Sequence, residues 1–196
     1  MRALFNCRCG KVRGEVDPVG PALSNRVTCY CDDCQAFAHY LGRPDLIDAK
    51  GGSDIVQVAP ATLTFTQGQD QIAAVRLTAK GLYRWHARCC NTPLGNSMTP
   101  ALPFVGMHAP SFHDPDACFG KPRGAIMGQY AKGGPPPGTK GVKPWLLVTT
   151  IAKVLGWRLS GRAWPHPFFD RAAKPLYPVL ILPPQERERL RLLCGP

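Results

Sequence analysis

The sequence of 196 residues has no long hydrophobic run. Its most apolar stretch, residues 144–157, is interrupted by Lys153 and is shorter than the roughly 18 uncharged residues of a membrane span. The first ten residues, MRALFNCRCG, lack the apolar stretch of a signal peptide. We therefore expect a soluble, cytoplasmic protein with no membrane association.

Acidic residues are scarce, with 13 Asp and Glu against 24 Lys and Arg, and the formal net charge is +11. Such a surplus favours acidic substrates or polyanions as partners. Binding of metal ions by thiolates would reduce the charge, so we do not expect nucleic acid as a partner. A small-molecule thiol adduct fits the charge better. The sequence does not predict an oligomeric state.

Cysteine is abundant: there are nine, and seven of them precede residue 97. In a reducing compartment, cysteines at short spacing bind metal more often than they form disulfides. Zinc prefers four sulfur or nitrogen ligands in a tetrahedron, and Cys-x-Cys or Cys-x-x-Cys can place two of them. We predict one or two Zn²⁺ per chain, held by a set of seven candidate ligands: Cys7, Cys9, Cys29, Cys31, Cys34, Cys89 and Cys90.

The grouping of these ligands stays open at this stage. Cys7 and Cys9 need two more ligands, which the segment around His86, Cys89 and Cys90 can supply. Cys29, Cys31 and Cys34 leave a fourth position. That position is either open, as in catalytic zinc sites, or filled by Cys89, Cys118 or His86, as in structural sites. No catalytic base can be assigned.

These motifs resemble the glutathione-dependent formaldehyde-activating enzyme family, which includes the centromere protein V domain. The resemblance covers residues 5–95: Cys-x-Cys-Gly, then Cys-x-Cys-x-x-Cys, then a cysteine before Thr-Pro-Leu. It implies an Mss4-like, zinc-binding antiparallel β fold and carbon–sulfur lyase activity. It also implies a structural zinc at Cys7 and Cys9, with the late cysteines. A second zinc at the Cys29, Cys31 and Cys34 triplet would be associated with glutathione.

Two positions depart from the family pattern. Ala87 stands where the first cysteine of the late pair belongs, so Cys89 or His86 must substitute, and Cys89 matches the other ligands better. Gln35 and Ala36 follow Cys34 where the family often has a basic pair. A contact to glutathione carboxylates is therefore missing at this place.

We predict a mainly β domain over residues 1–96. Residues 97–196, which hold sixteen of the 21 prolines, form a basic extension packed on it. Helices are expected near residues 143–157 and 185–193, and the first would carry Val148, Ile151 and Leu155 on one apolar face. The favoured function is the lyase. The alternatives are a non-enzymatic zinc scaffold that binds a protein or nucleic acid, and a thiol-redox protein.

Overall fold

A computed structural model describes residues 1–137, 139 and 142–196. Gly138, Lys140 and Gly141, in the proline-rich segment, lie outside the described residues. Over the described residues, eleven strands and four α-helices confirm the mainly β prediction. The strands are β1 (Ala3–Asn6), β2 (Arg13–Val16), β3 (Asn25–Cys29), β4 (Ser53–Val58), β5 (Leu63–Gln67), β6 (Ile72–Arg76), β7 (Tyr83–Ala87), β8 (Thr92–Ser97), β9 (Val105–His108), β10 (Ala125–Ile126) and β11 (Val179–Ile181). The helices are α1 (Asp32–Tyr40), α2 (Pro115–Phe119), α3 (Pro144–Leu159) and α4 (Pro184–Arg191).

The described strands form two sheets. The small sheet has the order β1-β2-β5 and is antiparallel. The large sheet has the order β10-β3-β4-β9-β8-β7-β6-β11 and is antiparallel except at its edges, where β10 pairs with β3 and β11 with β6 in parallel. Parallel pairing requires long connections, and both edge strands come from the segment after residue 96. The large sheet is thus built from both parts of the chain.

The main core lies between the two sheets. Phe5 and Phe65 of the small sheet pack with Trp85 of β7 and with Phe168 in one buried cluster. The Trp85 and Phe168 rings are stacked, with centroids 4.4 Å apart. Gly14 in β2 leaves room for Phe5, because an added Cβ would collide with the Phe5 ring. Large aromatic side chains therefore join the two sheets, and Cys7 belongs to the same buried cluster.

The opposite face of the large sheet carries two helices. Ile72 and Ala74 of β6 belong to the core between the sheets, whereas Val75 faces a second buried cluster. There it meets Phe37 of α1 and Leu190 of α4. This alternation is what a strand buried on both faces requires. The consequence is that α1, which carries part of the cysteine triplet, is fixed on the sheet by α4. No described helix is long and apolar enough to cross a bilayer.

His166 is buried among aromatic rings with only 5% of its surface exposed. Its ring centroid lies 4.9 Å from that of Phe169, and its Nδ1 accepts a hydrogen bond from the Phe168 amide at 3.2 Å. Its Nε2 has no hydrogen-bond partner among the described residues. Burial lowers the pKa of His166 from 6.5 to about 4.

This histidine should make stability fall in acid. The folded state resists protonation until about pH 4, whereas the unfolded state takes up the proton near 6.5, so the free energy of unfolding decreases as pH falls between these values. The loss should be about 2–3 kcal/mol. In urea unfolding at several pH values, His166→Gln should lack this part of the loss. Parallel pH profiles for the two proteins would contradict the assignment.

Candidate metal centre

The turns after β1 and β7 bring together four thiols, the four-thiol cluster: Cys7, Cys9, Cys89 and Cys90. Their sulfur atoms all lie within 4.8 Å of one another. The Cys7 sulfur is 3.6 Å from that of Cys9 and 3.8 Å from that of Cys89, and Cys9 and Cys89 are 3.3 Å apart. A tetrahedron with metal–sulfur bonds of about 2.3 Å has edges of about 3.8 Å. The cluster can therefore hold a metal ion. Every cysteine of the chain is free, so disulfides do not compete for these sulfurs.

The turn after β1 is shaped for this role. Gly10 adopts φ of 75°, a conformation that costs other residues energy, and its amide donates to the Cys7 carbonyl at 2.8 Å. The amide of Val12 donates to the Cys7 sulfur at 3.2 Å. A backbone N–H directed at sulfur favours the thiolate, which is the form that binds metal. Burial nevertheless raises the pKa of Cys7, so the metal-free cluster keeps that proton.

Thr92 at the start of β8 links the two turns. Its hydroxyl accepts a hydrogen bond from the Arg8 amide at 3.0 Å and lies 3.2 Å from the Cys90 sulfur. Burial opposes ionisation of Cys90, but the Thr92 hydroxyl and the neighbouring thiols outweigh it and lower the pKa of Cys90 to about 6. One thiolate in the cluster is thus available at neutral pH to begin metal binding.

His86, the alternative ligand from the sequence, lies away from the four-thiol cluster. Its side chain is buried, and its ring is 6.3 Å from the Phe37 ring and 6.1 Å from the Tyr40 ring, centroid to centroid. Register explains this, because His86 faces α1 from the strand while Cys89 and Cys90 lie in the turn that follows. Both adjacent cysteines take part in the cluster, and Ala87 is buried beside them.

Three further thiols, the three-thiol cluster, lie where β3 leads into α1: Cys29, Cys31 and Cys34. The sulfur atoms of Cys29 and Cys31 are 3.4 Å apart, and all three lie within 4.8 Å of one another. The positive end of the helix dipole at α1 favours thiolates at this place. Within the described part of the chain, this group has no fourth ligand atom. It can hold a metal ion with one coordination position left over.

Gln35, the residue that follows Cys34, is completely buried. Its Nε2 donates to the carbonyls of Tyr30 and Tyr130 at 2.8 and 2.9 Å, and its Oε1 accepts from the Gly195 amide at 2.9 Å. The side chain holds the loop of the three-thiol cluster against two distant segments. It is therefore a structural residue, turned away from any ligand in solvent.

Arg84 of β7 is a functional candidate that we did not select from the sequence. It is 1% exposed, its Nη1 lies 3.7 Å from the Cys34 sulfur and 3.4 Å from Asn96 Oδ1, and its Nη2 lies 3.4 Å from an Asp33 carboxylate oxygen. Its Nε and Nη2 make no hydrogen bond within the described residues. The sequence feature that could have identified Arg84 is its position as a charged residue between Tyr83 and Trp85 in a mostly apolar strand.

Charge couples Arg84 to the three-thiol cluster. Hydrogen bonds from Cys29 and Cys31 lower the pKa of Cys34; burial opposes this, and the Arg84 charge adds to it. Burial acts to lower the pKa of Arg84, but the Cys34 thiolate outweighs it and raises that pKa. A buried cation therefore lies beside the thiol group whose ionisation it favours.

Two pockets adjoin this region and share Leu46 and His108 in their linings. The inner pocket, of about 20 Å³, is lined by Cys34 and Arg84. Such a volume holds one or two small atoms or a water. The outer pocket, of about 360 Å³, is lined by Arg8, Arg43 and other residues. A narrow, mostly apolar recess at Cys34 thus adjoins a wider cleft that contains two arginines.

A model of one protein family matches residues 2–179. The chain belongs to the family of unknown function DUF6151. None of the curated proteins is significantly similar to this DUF6151 chain. It is similar to a protein of Rhodobacter sphaeroides in a crystal structure, with 17% identity and a TM-score of 0.39, over 56% of this chain and 87% of that one.

Two other polar residues near the DUF6151 thiols, Asp32 and Cys194, have structural partners. Asp32 forms an ion pair with Arg191 of α4 at 2.8 Å. Cys194 donates to the Asp32 carbonyl at 3.4 Å and lies outside both thiol clusters, as does Cys118. The Nε2 atom of His39 is buried without a hydrogen-bond partner among the described residues. These contacts fasten the C-terminal segment onto α1.

Proposed function

We propose that the chain binds zinc in both clusters and acts at the three-thiol cluster as a carbon–sulfur lyase. The substrate class is an adduct between a thiol of the glutathione type and a small carbonyl compound. One observation carries the proposal: the three sulfur ligands have no fourth among the described residues, and one of them, Cys34, lines a pocket. An open position beside a pocket is the arrangement of catalytic zinc, whereas four ligands make the structural kind.

The chemistry is a reversible cleavage. The carbon–sulfur bond of the adduct breaks, its electron pair stays on sulfur, the hydroxyl proton leaves, and a free thiolate and an aldehyde result. Zinc, when bound, supplies a soft Lewis acid that stabilises the thiolate at neutral pH. The inner pocket matches the small carbonyl end of such an adduct in size, since its volume is about 20 Å³.

His108 is the residue that we propose as the acceptor of the hydroxyl proton. It borders both pockets, and its Nε2 lies 3.3 Å from the Leu46 carbonyl oxygen. A carbonyl only accepts, so Nε2 carries the proton and Nδ1 has the lone pair. Burial lowers the pKa of His108, which keeps the ring neutral near pH 7, the form that can accept a proton.

The outer pocket favours an acidic thiol. Arg8 and Arg43 line it together with His113, and Asp45 pairs with one edge of the Arg43 guanidinium at 2.6 Å. The Nη1 atom of Arg43 is buried and has no hydrogen-bond partner within the described residues. A carboxylate of the thiol can bind there, which would replace the basic pair absent after Cys34.

Metal content and a single substitution test this proposal. We expect about two zinc per chain in wild type and about one in a folded Cys31→Ser protein. That variant should lose formaldehyde–thiol lyase activity completely while its melting temperature changes little. Cys118→Ser, a control outside both clusters, should keep both metals and the activity. In cobalt-substituted wild type, glutathione should shift the visible absorption of the three-thiol site.

The alternatives predict other results from the same samples. A non-enzymatic scaffold would show an unchanged cobalt spectrum with any thiol, because both metals would be closed. A thiol-redox protein would be isolated without zinc at Cys31 and Cys34 and would form a disulfide between them under mild oxidation. Either result would replace the lyase proposal.

A further inference from the structure

Helix α3 has its apolar side turned outward. Leu146 and Trp157 are the buried residues of its 16 positions. Its large apolar side chains at one-turn spacing are between 45% and 88% exposed: Trp145, Val148, Ile151, Leu155 and Leu159. A surface helix normally buries such a stripe against the core. Here the stripe covers most of the solvent side of the helix.

Polar residues of α3 face the body of the protein instead. Asn25 Nδ2 donates to Thr150 Oγ1 at 3.2 Å, and Lys153 donates to the Ala22 carbonyl. Arg158 donates to the Ala101 carbonyl at 3.2 Å. These bonds, together with the buried Trp157, fix the rotation of the helix about its axis. The apolar stripe cannot turn inward without breaking them, so it is available to a partner.

The segment of the chain that contains α3 is strongly basic. Residues 117–169 contain no Asp or Glu and contain eight Lys or Arg. Two copies of the chain that met through this face would bring like charges together, which opposes self-association. An apolar helix with basic flanks and an exposed tryptophan has the composition of helices that lie in the interface of an anionic bilayer.

We propose that α3 docks the protein on an anionic phospholipid surface. The apolar stripe enters the boundary between headgroups and acyl chains, and basic side chains at its edge such as the exposed Lys143 meet the lipid phosphates. The helix lies in the plane of the surface, since it does not have the length to cross a bilayer. Binding of this kind replaces the expectation that membranes play no part.

Vesicle sedimentation tests the proposal on the full-length, metal-loaded protein. Wild type should bind vesicles of phosphatidylcholine and phosphatidylserine and bind at least about tenfold less well to phosphatidylcholine alone. Raising the salt concentration should weaken binding. Val148→Glu with Ile151→Glu should reduce binding at least about tenfold. Leu192→Glu, which changes a residue that is 82% exposed outside α3, should bind like wild type.

Tryptophan fluorescence gives a second readout that does not depend on a charged substitution. Trp145 is exposed at the start of α3, so anionic vesicles should shift the wild-type emission to the blue. Trp145→Phe should keep most of the binding and lose the shift. If the variant with Val148→Glu and Ile151→Glu fails to fold, the comparison of wild type with Trp145→Phe still tests whether α3 enters the lipid surface.

Three results would overturn the proposal. Equal binding to neutral and anionic vesicles would remove the role of charge. A dimer in solution that Ile151→Glu converts to a monomer, without vesicle binding, would make a second copy the partner. A monomer that ignores vesicles would leave an acidic protein as the occupant of the face.

Discussion

Replacing Cys7 by serine should leave the protein largely unfolded. Cys7 is completely buried, and its cluster ties the turn between β1 and β2 in the small sheet to the turn between β7 and β8 in the large one. Structural zinc contributes about 10–16 kcal/mol to folding in small domains, which equals or exceeds the about 5–15 kcal/mol that stabilises a whole protein. Circular dichroism and urea unfolding of the purified variant measure the loss.

The matched control is Cys118→Ser, since that thiol lies outside both clusters. It should change the free energy of unfolding by about 1 kcal/mol at most. A strong chelator should reproduce the Cys7→Ser result in wild type. A Cys7→Ser protein that keeps its melting temperature while lacking one zinc would show that the metal does not join the sheets.

Replacing Arg84 by methionine should destabilise the zinc-loaded protein by about 3–5 kcal/mol, the usual effect of removing one partner of a buried charge pair. Three thiolates around one Zn²⁺ carry a net negative charge, and Arg84 is the buried cation beside them. Methionine keeps most of the side-chain volume, so the effect reports charge rather than a cavity. Denaturant unfolding at neutral pH measures it.

Arg88→Met serves as the control, because Arg88 lies on the same segment and is exposed. A surface substitution of this kind should change stability by about 0.5 kcal/mol or less. Equal effects of the two substitutions would mean that Arg84 does not balance the charge of the three-thiol cluster.

The thiol clusters were predictable because chelating pairs are local in sequence. Cys7 with Cys9, and Cys31 with Cys34, are close through the backbone itself, whatever the rest of the chain does. Arg84 was not predictable in the same way, since its role depends on which face of β7 meets α1. His108 likewise acquires its place only when β9 pairs with β4 and β8.

Helix α3 shows that the sequence predicts an element more readily than its tertiary contacts. The spacing of Val148, Ile151 and Leu155 predicted a helix with one apolar face, and a helix forms over Pro144–Leu159. Periodicity identifies a face but does not say whether protein or solvent covers it. Which face is covered by protein depends on tertiary contacts such as the hydrogen bond from Asn25 to Thr150 on the polar side of the helix. The edge strands β10 and β11 were missed because each is only two or three residues long.

The bond between Gln35 and the Gly195 amide has a consequence for how the molecule matures in the cell. The two residues are separated by 160 positions, so the ribosome synthesises nearly the whole chain before this bond can form. The thiols at positions 29, 31 and 34 are synthesised early, before the segment that packs against their loop exists. The loop that carries these thiols therefore reaches its final packing only when the segment around Gly195 has joined it.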